Sequence, residues 1–153
     1  MSIKIRVPEI NKKQLENPQI KNELEEVQDI FKKADFPFVT DTVNFVFLKG
    51  QYYNIEKKMV IIAVFVNKTN EVIQGINASI RLKFRQLNAE IMPMTVAFPE
   101  EFVGHLAPDE GLLFHLSIPV KGLKEDVVFS SRDIAGGIEN VTLLKSEEKE
   151  NEK

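Results

Sequence analysis

The sequence predicts a mainly β protein: an antiparallel β-sandwich preceded by one amphipathic helix. Three observations lead there. Met59–Val66 is apolar at every position, which describes a strand dry on both faces. Ile76–Arg85 alternates apolar and polar residues without a slip, the side-chain period of a strand with one wet face. About seven such short segments succeed one another between turn residues with no βαβ alternation, which favours two packed sheets over a parallel one.

The N-terminal eight residues alternate Ile3, Ile5 and Val7 with Lys4 and Arg6 until Pro8, a short strand or an arm. Residues 17–34 read as a helix. Asn17 can cap it and Pro18 suits the first helical position. Ile20, Leu24, Val27 and Phe31 form one stripe that Ile30 widens, and Lys32 and Lys33 complement the dipole in the last turn. Phe36-Pro37 ends the helix. Val43–Lys49 then puts Val43, Phe45 and Phe47 on one face and Val46 and Leu48 on the other. Gly50 allows a bulge, Gln51–Ile55 continues the strand, and Glu56-Lys57-Lys58 turns into Met59–Val66. Asn67–Glu71 is rich in turn residues and leads to the alternating strand. Glu90–Phe98 is a further strand, at an edge or bulged because of Pro93. Pro99–Gly111 reads as a long loop, Leu112–Val120 as a strand, Val127–Phe129 as a short strand and Ile138–Leu144 as the last. Gly136-Gly137 bends the chain into it.

These elements divide the chain into an arm and helix packed on the sandwich (1–37), the sandwich (38–145) and a charged, disordered tail (146–153). The length of 153 residues suits a single domain, and 43% hydrophobic with 28% charged residues suits a soluble globular one. A net charge of −3 argues against nonspecific nucleic-acid binding. Without cysteine there is no disulfide, thiolate nucleophile or Cys-ligated zinc. No apolar run has the length of a signal peptide or a membrane span, so the expected location of the sequence as it stands is cytoplasmic.

Residues that could carry chemistry are sparse. His105 and His115 are the only histidines and lack a compact ligand spacing. Glu100, Glu101, Asp109 and Glu110 surround one loop, and such carboxylates can serve acid–base chemistry, yet beside turns they are usually only solvated. Ser130-Ser131-Arg132-Asp133 and Ala135-Gly136-Gly137 match no nucleophile elbow or phosphate loop. The expectation is no catalytic residue, no cofactor and no metal. Arg81, Lys83 and Arg85 line the wet phase of the alternating strand, a basic stripe that suits an anionic partner but lacks aromatic residues for stacking bases.

The stretch from Val43 to Val120, about half of the chain, resembles the SLAP domain, a small β-sandwich module of Gram-positive bacteria. An aromatic opening strand, Val43-Asn44-Phe45-Val46-Phe47, precedes Ala63-Val64-Phe65-Val66. Asn67-Lys68 stands where the family has Arg-Asn, and Val72-Ile73 matches its apolar re-entry. Phe98 through Phe102-Val103-Gly104-His105-Leu106-Ala107-Pro108 resembles its Phe-Gly-x-Leu-Pro-Pro loop, one residue longer. Leu112–Leu116 keeps a phenylalanine where the family often has Pro-Trp-x-Phe, although this chain has no Trp. The resemblance implies an immunoglobulin- or fibronectin-like fold and a role in the cell envelope or accessory secretion.

The function expected from these readings is a non-catalytic module that binds a protein partner. Its candidate contact residues are Arg81, Lys83 and Arg85 on the wet face and Met59, Ile61 and Phe65 on the dry strand, with a homodimer as one form of partner. A carbohydrate- or small-ligand-binding sandwich and a carboxylate hydrolase are the alternatives. The stripe Ile20–Leu24–Val27–Phe31 is expected to cover the outer face of the sheet that holds Met59–Val66, because an apolar sheet face is rarely left bare.

Overall fold

The structure, a computed structural model, describes residues 3–8, 17–34 and 36–145. In chain order the elements are β1 (Lys4–Arg6), α1 (Pro18–Lys33), β2 (Val43–Tyr53), β3 (Lys58–Asn67), β4 (Ile73–Phe84), β5 (Glu90–Ile91), β6 (Met94–Phe98), α2 (Glu100–Val103), β7 (Glu110–Lys121), β8 (Val127–Ser130) and β9 (Ile134–Lys145). The tail expected at 146–153 lies outside the described residues.

Two sheets form a sandwich. The first has the order β1-β7-β3-β2-β8, with β5 also paired to β7; the second has the order β6-β4-β9. All pairings are antiparallel except β1 with β7, so the first sheet is mixed rather than wholly antiparallel. The parallel strand comes from the N-terminal arm, which therefore belongs to the sandwich itself.

The period of two sorts β3 into two populations. Met59, Ile61, Ala63 and Phe65 face the second sheet, while Ile62, Val64 and Val66 face away from it. The inner face meets Ile76, Ala78, Ile80, Leu82 and Phe84 of β4 and Leu112, Phe114 and Ile118 of β7 in one core. Aromatic rings join the sheets there: Phe65 stacks on Phe114 at 4.9 Å, and Phe98 of β6 reaches both at 5.9 and 5.2 Å.

On the outer face, Val64, Val66 and Leu113 pack with Val27 and Phe31 of α1 and with Ile3 and Ile5 of β1. Asn17 caps α1 by accepting the Gln19 N–H at 2.9 Å. Gln28 then clamps the sheet edge: its Oε1 accepts the Ile5 N–H and its Nε2 donates to the Ile3 carbonyl, both at 2.8 Å. One side chain thus supplies the two bonds that a further strand would have given β1.

Glu90–Phe98, expected as one strand, is two. β5 pairs with β7 in the first sheet and β6 with β4 in the second, so the chain changes sheets at Met92-Pro93. Proline has no N–H to give a ladder, which makes it a natural crossing point. Within the expected loop Pro99–Gly111 lies the single turn of α2. The β3–β4 turn is held by fully buried Asn67. Its Nδ2 donates to the carbonyls of Glu71 and Leu106, and its Oδ1 accepts from the N–H and hydroxyl of Thr69. Every hydrogen-bonding site of that amide is used, which is what a buried amide needs.

Candidate functional site

The outer face of the second sheet is its wet face. Along β4 the outward residues are Asn77, Ser79, Arg81 and Lys83, with Arg85 just past the strand end, and all but the half-buried Ser79 are exposed. β9 runs tightly beside them. Opposite Leu82 stands Gly136 with φ +127°, where a Cβ would come 2.1 Å from the Arg81 carbonyl oxygen. Only glycine permits this approach. The cations on this face differ in their engagement. Arg81 pairs with Glu139 of β9 at 2.9 Å, both side chains about half exposed. Lys83 and Arg85 have no side-chain hydrogen bond or ion pair among the described residues.

Arg85 leads from this face into a groove of about 480 Å³ at the end of the sandwich. Phe84-Arg85-Gln86-Leu87 forms one wall; Val127-Val128-Phe129 of β8 and Arg132-Asp133 form the other. Phe84 and Phe129 make its floor, with ring centroids 4.8 Å apart. The backbone ties the walls together through the Arg85 N–H, which donates to the Asp133 carbonyl at 3.0 Å. Leu87 and Val128 remain 48% and 57% exposed, so the groove carries apolar surface that the fold leaves wet. Arg132, like Arg85, has no side-chain partner among the described residues. The carboxylate of Asp133 is turned back into the β8–β9 turn, where its Oδ2 accepts the N–H and the hydroxyl of Ser130. The rim therefore holds two unpaired guanidinium groups, with Lys83 close by in sequence and one carboxylate already engaged.

Arg85 is legible as a contact residue from its place in the wet phase of β4, and Arg132 from sequence only as part of an unmatched turn, whereas Leu87 and Val128 carry no signal of their own. The signal for Arg132 was its place in the turn Ser130–Asp133, but nothing in a single sequence shows that this turn and the end of β4 meet. Met59, Ile61 and Phe65 require correction as contact residues. All three are fully buried in the inter-sheet core and have no surface to offer in this fold. The outward surface of β3 belongs to the opposite phase, and α1 already covers Val64 and Val66.

The acidic loop is not gathered into one site. Asp109 pairs with Lys68 at 2.7 Å, while Glu110 accepts the Ala107 N–H at 2.8 Å and contacts Arg6 at 3.5 Å. Glu100 contacts the buried amide of Gln74, which also lies 2.8 Å from His105 Nε2. The two histidines have separate partners. His115 of β7 meets Glu23 of α1 at 2.9 Å, and the hydrogen bond to that carboxylate raises the imidazole pKa above its ordinary 6.5, with partial burial opposing. Among the described residues no group of three or more His, Cys, Asp or Glu side chains is placed to hold a metal ion.

No family model, no curated protein and no solved structure matches this chain.

Proposed function

We propose that this chain is a non-catalytic protein-interaction module whose contact surface is the basic end of the second sheet. The observation that carries the reading is a pair of cations, Lys83 and Arg85, without a side-chain partner among the described residues, at the end of the wet face of the second sheet beside a groove with uncovered apolar residues. A sheet needs neither feature for its own stability. The alternatives find less support. Stacking on a sugar needs an exposed ring, and among the described residues Tyr53 is the one aromatic side chain in the set of exposed large apolar residues. Of the four loop carboxylates considered for hydrolysis, Asp109 and Glu110 are each held by a cation and Glu100 contacts Gln74, which leaves Glu101 alone without a side-chain partner among the described residues.

The finer reading is an immunoglobulin-like sandwich acting in the Gram-positive cell envelope or beside its accessory secretion machinery, as the resemblance to SLAP domains implies. Affinity capture from the native organism tests the module reading, with the wild type beside the variant Arg81→Glu/Lys83→Glu/Arg85→Glu. The expected result is a protein retained reproducibly by the wild type and lost by the variant. The reading falls if no protein is retained, or if the folded variant retains it equally.

A further inference from the structure

We propose that the groove between Phe84–Leu87 and Val127–Asp133 docks an acidic protein segment bearing an apolar side chain, with Arg85 and Arg132 receiving its carboxylates. The proposal rests on the module reading and names its ligand. Charge complementarity selects the occupant. Two guanidinium groups face the groove without a partner, and guanidinium is the side chain best shaped for bidentate carboxylate recognition. Leu87 and Val128 add an apolar contact that a bare inorganic anion would leave wet. A groove of about 480 Å³ falls within the range of roughly 300–1,000 Å³ typical of small-ligand clefts. It is large enough for one side chain and the backbone that carries it.

Nucleic acid fits less well. The groove's rings, Phe84 and Phe129, are 6% and 5% exposed and offer no face for stacking a base. The occupant that this chemistry selects is an acidic segment of a partner protein.

The test is an NMR titration of the full ¹⁵N-labelled chain with the blocked peptide Glu-Glu-Leu-Glu-Glu. Glu-Glu-Gly-Glu-Glu, Lys-Lys-Leu-Lys-Lys and an oligothymidylate serve as comparison ligands. The expected result is saturable shifts confined to residues 84–87 and 127–133. Arg132→Glu should weaken binding at least tenfold, and Leu87→Ser should bring the leucine peptide down to the level of the glycine peptide. Unchanged spectra away from the groove establish that both variants fold. The proposal is overturned if the shifts scatter over all basic residues, if Arg132→Glu leaves the affinity unchanged, or if the oligothymidylate binds the same residues more tightly. Neither Arg132 nor Leu87 is altered in the capture experiment. A partner still captured by the wild type, together with a silent groove, would remove this inference and leave the module reading standing.

Discussion

The two sheets of this sandwich meet water differently. The first is apolar on both faces where α1 lies over it: β3 sends Phe65 into the core and Val64 outward, and neither has exposed surface. The second has one face in the core and one in solvent, with Ile80 and Leu82 inside and Arg81 and Lys83 outside. A strand of alternating type completes its own protection once the sheets pair. A strand of uniform type remains unfinished until a third layer arrives, and here α1 supplies it, packing also on the outward Ile3 and Ile5 at the edge strand β1. The second sheet is thus free to present charge, while the first must recruit part of the chain to close it.

The strongest way to break this comparison is to truncate the two neighbours Phe65 and Val64. Phe65→Ala removes a ring stacked between both sheets and should cost about 3–5 kcal/mol. Val64→Ala removes two methyl groups beneath α1 and should cost about 2 kcal/mol from lost burial and the small cavity left. Denaturant melts of both variants measure these values. If Val64→Ala costs under about 0.5 kcal/mol, α1 does not seal the outer face as its packing indicates, and the third layer would be dispensable.

The edge of that third layer gives a sharper and smaller test. Gln28 reaches from α1 to bond both Ile5 and Ile3. Gln28→Ala leaves an N–H and a carbonyl without these partners and should cost about 1–3 kcal/mol. Amide hydrogen exchange localises the effect: Ile5 should lose protection while the amides of β4 keep theirs. Gln28→Glu keeps the acceptor for Ile5 but places an oxygen against the Ile3 carbonyl, so it should not restore wild-type stability. Equal loss of protection in both sheets would mean that the clamp serves general stability and not the edge of β1.

Much of this contrast was legible in the residues. The alternation of Ile76–Arg85 states the wetting of its two faces directly, because side-chain direction follows from strand period alone, whereas the run Met59–Val66 is dry on both faces only from Ala63 on, its outward Val60 and Ile62 being half-buried. Sheet membership was not legible. Glu90–Phe98 reads as one strand, since the crossing at Pro93 changes its partner without changing its pattern. The inward phase of β3, with Met59, Ile61 and Phe65, cannot be told from the outward one in the sequence, since both are apolar. The groove was the least legible feature. It depends on the Arg132 turn meeting the end of β4, a contact between segments about 45 residues apart, and local periodicity carries no trace of such a pairing.

The mildest test concerns the ion pair at the border between covered and uncovered parts of the first sheet. His115 faces Glu23 of α1 across a small cleft lined by Val7, Pro8, Ile20, Phe102 and Leu113, and Lys49 of β2 lines the neighbouring surface. The bond to Glu23 raises the histidine pKa above 6.5 in the folded state, against the opposing effect of burial. A raised folded pKa means that the folded protein holds this proton more tightly than the unfolded chain does. The stabilisation is therefore fully present below the unfolded pKa and is lost as pH rises through the folded one. Both side chains are partly exposed, so solvent screening limits the pair to about 0.2–1 kcal/mol. The wild type should exceed Glu23→Gln in stability by more at about pH 5.5 than at about pH 8.5. In the variant the His115 ring should titrate at lower pH, as read from its NMR shifts. A difference that stays constant with pH, or grows in alkali, would show that the pair does not help hold α1 to the sheet.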